Sequence, residues 1–250
     1  MGKTENLAGE FDQWADVLLR WSSVTDRGDT EFYRRAVLDY GRPAVELGIG
    51  SGRVAQVAQP DIGLDFSTTS LQRCADLLVT NPPVLVHADI ATYLLDQPAR
   101  LSYAPQNTFN HIVQADERVD CFRNVARNTE RGGYLLFDAF LTDRRTLRRY
   151  NRVEVAQARG AGWVLYLSEE VVDDDSMLSV YHAVLEELDQ NGVMARRTHL
   201  PPLPRAYVPP HRFAHELTLA GWQIRSAWGD FTKGPLTDGC ERQVWLAQKP

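Results

Sequence analysis

The sequence predicts an α/β fold: a parallel sheet at the centre, two helices ahead of it and an antiparallel β insertion towards its end. Three observations carry this. Short apolar runs, Val45-Glu46-Leu47, Ile62-Gly63-Leu64-Asp65, Val84 to Ile90 and Tyr134-Leu135-Leu136-Phe137-Asp138, alternate with stretches of helical periodicity, as crossover-connected parallel strands require. The first run enters Gly48-Ile49-Gly50-Ser51-Gly52-Arg53, a glycine-rich turn between strand and helix, where backbone N–H groups and a positive helix end converge on one place for a ligand. Between about Leu141 and Arg205 the pattern changes to β-like runs broken by turn residues.

A chain of 250 residues is long enough for one α/β domain with an insertion and a full core, and two large domains are not expected. The formal charge of −6 and pI near 5.5 count against nucleic acid, whose phosphates need a dominant basic face, and favour a small-molecule partner. Cys74, Cys121 and Cys240 stand far apart with no Cys-x-x-Cys, so neither a disulfide framework nor a zinc site is indicated and a reducing cytoplasm is the expected compartment. No apolar run approaches membrane-spanning length, so no membrane partner is expected.

Taken in order, Phe11, Trp14, Leu18 and Trp21 recur at helical spacing and predict a helix from about Glu10 to Trp21, broken by Gly28 and Asp29. A second helix carries Phe32, Tyr33, Ala36, Val37 and Tyr40 on one face and ends at Gly41 and Pro43. After the glycine turn a short helix through Val54 and Val57 leads to the second strand, which closes on Asp65, an acid placed to accept ribose hydroxyls. Ser67 caps the next helix, which buries Leu71, Cys74, Ala75 and Leu78. Asn81-Pro82-Pro83 stops it, and the third strand closes on Asp89. Tyr103 to His111 occupies the end of a fourth strand and its loop; a helix with Val119, Phe122 and Val125, the turn Arg131-Gly132-Gly133 and a fifth strand ending at Asp138 follow.

Arg144, Arg145, Arg148, Arg149 and Arg152 then fall at helical offsets. They admit two readings, a solvated face or a clamp for a diphosphate or carboxylate, which guanidinium groups hold bidentately. Strand-like runs at Trp163 to Val172, Met177 to Leu188 and Val193 to Leu200 are separated by Asp173-Asp174-Asp175-Ser176 and Gln190-Asn191-Gly192. The aspartates lack a His or Cys partner, and no metal is expected. Pro201, Pro202 and Pro204 form an extended connector, Pro209-Pro210 opens a helix with Phe213, Leu217 and Ala220, and Trp222-Gln223-Ile224 with Val244-Trp245-Leu246 form a closing hairpin. The organisation expected is lid helices over 1–42, a binding core over 43–140, a substrate-side helix and antiparallel insertion over 141–205, and a C-terminal helix and hairpin over 206–250.

The glycines are spaced Gly-x-Gly-x-Gly, with Arg53 where a dinucleotide fingerprint needs its last glycine, and Glu46 precedes them by two residues. Followed by an acid closing strand two and another closing strand three, this pattern resembles the class I S-adenosylmethionine (SAM) dependent methyltransferases from the glycine turn through the fifth strand. The resemblance implies a Rossmann-like seven-stranded sheet with SAM as cofactor and S-adenosylhomocysteine as product. It places Glu46, Gly48, Gly50, Gly52, Arg53, Asp65, Phe66, Asp89, Ile90 and Tyr103 at the cofactor. There Glu46 suits the cationic amino acid group, Asp65 the ribose, Asp89 the adenine amino group and Ile90 the adenine ring.

Methyl transfer from a sulfonium is an in-line displacement, so positioning and water exclusion are the main demands. His111, after the fourth strand, is the candidate general base, with Tyr33 and Asp138 as the other catalytic candidates. The N-terminal aromatics are either core packing or a lid over the sulfonium, Tyr33 being the preferred lid residue. Within the superfamily the chain looks most like the sugar N-methyltransferases, which act on nucleotide-linked amino deoxysugars in natural-product pathways. That likeness implies such an acceptor and a homodimer, and the clamp reading of the arginine stripe puts Arg144, Arg148 and Arg149 at the substrate. An O- or N-methyltransferase of a non-nucleotide small molecule, and a SAM-binding protein without turnover, are the alternatives.

Overall fold

A computed structural model describes residues 3–25, 27–141, 152–173 and 178–250. Helices α1 (Lys3–Ser22) and α2 (Thr30–Tyr40) precede β1 (Ala44–Leu47), α3 (Ala55–Ala58), β2 (Ile62–Asp65), α4 (Thr68–Leu77), β3 (Val84–His87) and β4 (Ala99–Ala104). A 3-10 turn (Thr108–His111), α5 (Ala115–Arg127) and β5 (Thr129–Phe140) follow. Next come β6 (Arg152–Gly160), β7 (Trp163–Asp173), β8 (Leu178–Leu188), β9 (Met194–His199) and β10 (Leu203–Ala206). Helix α6 (Pro210–Leu219), β11 (Gln223–Trp228) and β12 (Arg242–Gln248) complete the chain.

Strands β1 to β5 are parallel and form, with β12 and β11, a seven-stranded sheet in the order β11-β12-β5-β4-β1-β2-β3; β12 runs antiparallel to both neighbours. Both faces of the central strands are covered, so β1 is buried along its whole length and reads as a continuous run without alternation. On one face Phe32, Tyr33 and Val37 of α2 pack on Leu101, Tyr103, Leu136 and Val244. On the other, Phe109, Phe122, Phe137 and Phe213 join α5 and α6 to the sheet. The strand order reverses between β1 and β4, which opens a crevice at the carboxyl ends of the strands.

The second sheet is antiparallel, in the order β10-β8-β7-β6, with β9 also paired to β8. Helix α1 lies against it, burying Trp14 and Val17 on Leu165, Leu167, Ala183 and Leu203. The Trp14 indole N–H donates to the Pro201 carbonyl at 2.8 Å. The opposite side of α1 grips the start of α4: the Asp12 carboxylate accepts from Ser67 Oγ at 2.6 Å and from the Thr69 N–H at 3.0 Å, and Asp16 pairs with Arg73 at 2.7 Å. The helix thus spans the gap between the two sheets. Among the described residues no helix is long and apolar enough to cross a membrane.

The structure departs from the sequence reading in several places. Helix α1 starts at Lys3 rather than Glu10. The third strand stops at His87, because Asp89 turns the chain by accepting the Ala91 N–H at 2.8 Å. Strand β5 runs from Thr129 through Gly132, at φ 76°, where the register with β4 shifts. The arginine-bearing segment through Arg149 lies outside the described residues, and Arg152, read as its helical continuation, instead opens β6. The proline connector is extended as expected, and its end pairs with β8 as β10, where Pro204 sits in an edge strand.

Arg118 of α5 donates two hydrogen bonds, at 2.9 and 2.6 Å, to Glu216 of α6, and both side chains are buried. Removing one partner strands a buried charge, so Arg118→Met is expected to lower unfolding free energy by roughly 3–5 kcal/mol, whereas Arg118→Met with Glu216→Leu recovers most of it. Urea titration of the three proteins checks this.

Candidate functional site

A cavity of about 970 Å³ lies over the carboxyl ends of β1, β2 and β4, at the upper end of the size range of small-molecule sites. Phe11, Trp14, Leu18 and Trp21 of α1 roof it, and Glu169, Tyr181 and Arg205 of the second sheet close its far side.

The glycine turn forms one wall. Gly48 has φ 69°, and a Cβ there would stand 2.9 Å from Thr108 Cγ2, so only glycine lets this turn approach the loop after β4. Gly50 has φ 56° with open space beside it, and with Gly48 it faces the cavity. Its N–H donates to Asp65 Oδ2 at 2.8 Å, while the Ser67 N–H donates to Oδ1 at 2.8 Å. Burial raises the Asp65 carboxyl to about 6 even though these bonds favour its ionised form. Glu46 Oε2 accepts from the Tyr103 hydroxyl at 2.8 Å, and burial outweighs that bond to raise Glu46 to about 8. Asp89 completes a set of three carboxyl groups at this end, with Phe66 and Ile90 beside them on the cavity wall.

His111 lines the cavity from the 3-10 turn, its ring edge-to-face with Phe11 at 5.0 Å. Nδ1 lies 3.3 Å from the Pro204 carbonyl, which can only accept, so Nδ1 carries the proton and Nε2 is the unprotonated nitrogen. Burial, and then the charge of Arg205, lower its pKa to about 4. Arg53 also lines the cavity, but its guanidinium is committed: it pairs bidentately with Asp29 at 2.7 and 2.6 Å and reaches Gln106 Oε1 at 3.2 Å. The buried Asn107 side-chain oxygen lines the cavity without a hydrogen-bond partner.

Of the expected site residues, the structure therefore brings together Glu46, Gly48, Gly50, Arg53, Asp65, Phe66, Asp89, Ile90 and His111 around one cavity. Four others lie behind its wall. Gly52 points at Cys74 and Leu78, where its lack of a side chain serves packing. Tyr103 is fully buried and acts on the site only through its bond to Glu46. Tyr33, expected as lid and catalytic residue, is fully buried under α2; its ring stacks on Tyr103 at 5.3 Å and its hydroxyl donates to Asp138 Oδ1 at 2.7 Å. Asp138 takes a second bond from the Gln106 N–H at 2.8 Å and is itself buried. The helix over the cavity is therefore α1, and α2 is a sheet-packing helix, because the apolar face of α2 meets Leu101 and Leu136 while that of α1 meets the second sheet and, through Phe11, Phe66 and His111. Arg144, Arg148 and Arg149 lie outside the described residues. The sequence reading missed Arg27, Asn107, Arg205 and Arg242 on the cavity wall; for Arg205 the flanking prolines were the only local signal.

No family model matches the chain, and no curated protein matches it in sequence. Solved structures do match in fold. The CcbJ methyltransferase from Streptomyces caelestis aligns with a TM-score of 0.77 at 20% identity, covering 96% of this chain and 97% of that one. An S-adenosylmethionine-dependent methyltransferase from Clostridium acetobutylicum gives 0.76 at 15% identity over 90% and 92% of the two chains. The sugar N-methyltransferase KedS8 from Streptoalloteichus gives 0.70 at 16% identity over 94% and 92%. The fold is that of the Rossmann-like methyltransferases, with an antiparallel sheet added to the core.

Proposed function

We propose that the protein is a SAM-dependent methyltransferase that transfers a methyl group to an amino nitrogen of a small molecule, with a nucleotide-linked amino deoxysugar as the acceptor class. The observation that carries this reading is the convergence of Glu46, Asp65, Asp89 and the Gly48 to Gly50 backbone on one end of a large cavity, while His111 faces the same cavity from the loop after β4. The likeness in fold to a sugar N-methyltransferase supports the acceptor class.

The residues present fit the cofactor. An open backbone at Gly50, two buried carboxyl groups and the unpartnered Asn107 oxygen provide the surface and acceptors that an adenosyl amino acid needs. Glu46 would hold the cationic amino acid group, Asp65 the ribose hydroxyls, and Asp89 with Ile90 the adenine. Bound there, SAM supplies an electrophilic methyl group on its sulfonium. The roof of α1 excludes water from the reacting centre. His111 Nε2 is oriented as a hydrogen-bond acceptor for an amine N–H, which turns the nitrogen lone pair towards the methyl group. A pKa near 4 suits that role better than the role of proton sink. Arg144, Arg148 and Arg149 remain candidates for the substrate side.

Calorimetric titration with SAM and S-adenosylhomocysteine tests the cofactor reading. Both are expected to bind the wild type, and Asp65→Ala is expected to lose at least about tenfold in affinity, since hydrogen bonds to a charged group contribute about 1.5–3 kcal/mol each. Failure of both ligands to bind folded wild-type protein refutes the reading.

Proton uptake gives a sharper test. With a pKa of about 8, Glu46 is mostly protonated at pH 7 in the free protein, and a cation against it favours the carboxylate. Binding at pH 7 should therefore release close to one proton, seen as a dependence of the measured enthalpy on buffer ionisation enthalpy, and the release should fade above pH 9. Proton uptake, or none at pH 7, contradicts the placement of the amino group at Glu46.

For turnover, His111→Ala is expected to lower kcat by about 10²-fold through loss of acceptor orientation, with cofactor affinity little changed. The acid limb of the pH profile should belong to the acceptor amine and persist in the variant. A limb near pH 6.5 that the variant abolishes would instead make His111 the base.

A further inference from the structure

Another part of the cavity wall comes from Phe140 at the end of β5 and Arg242 at the start of β12. Arg242 opens β12 opposite Phe140 in the register, with its guanidinium over the Phe231 ring at 4.7 Å. Its Nη1 is buried and has no hydrogen-bond partner. Arg27, in the link between α1 and α2, lies over the Trp21 ring at 5.8 Å. Both line the cavity, and among the described residues neither makes an ion pair. Arg53 and Arg205, the other guanidinium groups on the wall, are paired with Asp29 at 2.6 Å and Glu169 at 2.7 Å.

The acids near the two arginines are already engaged. Asp29 holds Arg53, Asp138 accepts from the Tyr33 hydroxyl and the Gln106 N–H, and Asp230 accepts from Thr232 and Gly234 within its own turn. Asp138 and Asp29 attract Arg27, while Arg53 and Arg242 repel it. Three guanidinium groups, Arg27, Arg53 and Arg242, thus meet two buried carboxyl groups, Asp29 and Asp138, with Asp230 facing Arg242 from an exposed turn. A buried donor of this kind is costly unless a ligand supplies its acceptor.

We propose that Arg27 and Arg242 form the seat for an oxyanion of the acceptor, a phosphate or a carboxylate held away from the nitrogen that receives the methyl group. The assignment rests on the methyltransferase reading for the word acceptor, but the anion site stands on the arginines themselves. The planar forks suit bidentate oxygen ligands, and the rings behind them hold the guanidinium groups in place. The seat is independent of Arg144, Arg148 and Arg149.

The test is calorimetric binding of inorganic pyrophosphate and, separately, of malonate to the wild type, Arg27→Gln, Arg242→Gln and Arg242→Lys. Each protein is titrated alone and after saturation with S-adenosylhomocysteine. Binding by the wild type that weakens at least about tenfold in each glutamine variant and partly returns in Arg242→Lys supports the seat. Preference for pyrophosphate identifies a phosphate-bearing acceptor, and preference for malonate a carboxylate. The seat is refuted when neither probe binds the wild type, or when the glutamine variants keep wild-type affinity. Thermal melting and retained S-adenosylhomocysteine affinity show that the variants are folded. Arginine-dependent anion binding by a protein that takes no S-adenosylhomocysteine overturns the cofactor reading alone; the reverse pattern overturns the seat alone.

Discussion

The bidentate pair between Arg53 and Asp29 is the constraint on which the site depends. It joins three segments distant in the chain: the link before α2, the end of the glycine turn and, through Gln106, the loop after β4. Asp29 stands at the N-cap of α2 yet makes no side-chain cap bond, so the helix forgoes a usual stabilising contact to hold the turn. Both side chains are largely buried, a setting in which loss of one partner costs about 3–5 kcal/mol because the other charge is stranded. With Gln106 fixed, its backbone N–H holds Asp138, and Asp138 holds Tyr33. One ion pair thereby connects the ligand-facing turn to the packing beneath the sheet.

The parts of this arrangement that were legible in the sequence are those whose physics is local. A strand running into glycines must turn, and an acid at a strand end such as Asp65 stands near that turn because strand, turn and helix follow one another in the chain. The glycine turn, β1, β2 and the Ser67 cap, whose oxygen accepts the Ser70 N–H at 3.0 Å, all follow from such short-range logic. Tyr33 and Trp14 show where it stops. Both lie in aromatic helical stripes, and only the partner surface, the central sheet for one and the second sheet for the other, decides which helix covers a cavity. Asp138 and Asp65 likewise both lie at strand ends, but Asp138 is closed off by Tyr33 from a helix more than a hundred residues earlier. Arg27 and Arg242 are furthest from local logic: each sits beside a turn like any solvated arginine, and their convergence exists only in the folded chain. Strand β6 is different, because the alternation in Val153-Glu154-Val155 was readable and lost only to the helical spacing of the preceding arginines.

The second sheet and α1 do more than enlarge the protein. They help to close the crevice, and burial at its wall is the largest cause that moves several ionisations in opposite directions. It raises Glu46 to about 8 and Asp65 to about 6, and it lowers His111 to about 4. Each shift favours the neutral form. The shielded interior therefore resists free charge, while Arg27 and Arg242 on its wall keep theirs, since guanidinium groups stay protonated.

Under the proposed function, this asymmetry bears directly on the chemistry of a methyl acceptor. An amine is nucleophilic only without its extra proton, and in water at neutral pH most aliphatic amines carry it. For the proposed acceptor, a cavity that penalises buried cations lowers the amine pKa on entry, and the unprotonated Nε2 of His111 then accepts an N–H of the neutral form. On the same reading the cationic amino acid group of the cofactor sits where the Glu46 carboxyl can ionise against it. On that reading the burial that keeps His111 neutral and the carboxyl groups that can ionise against a cation act together on the charges of the two reactants.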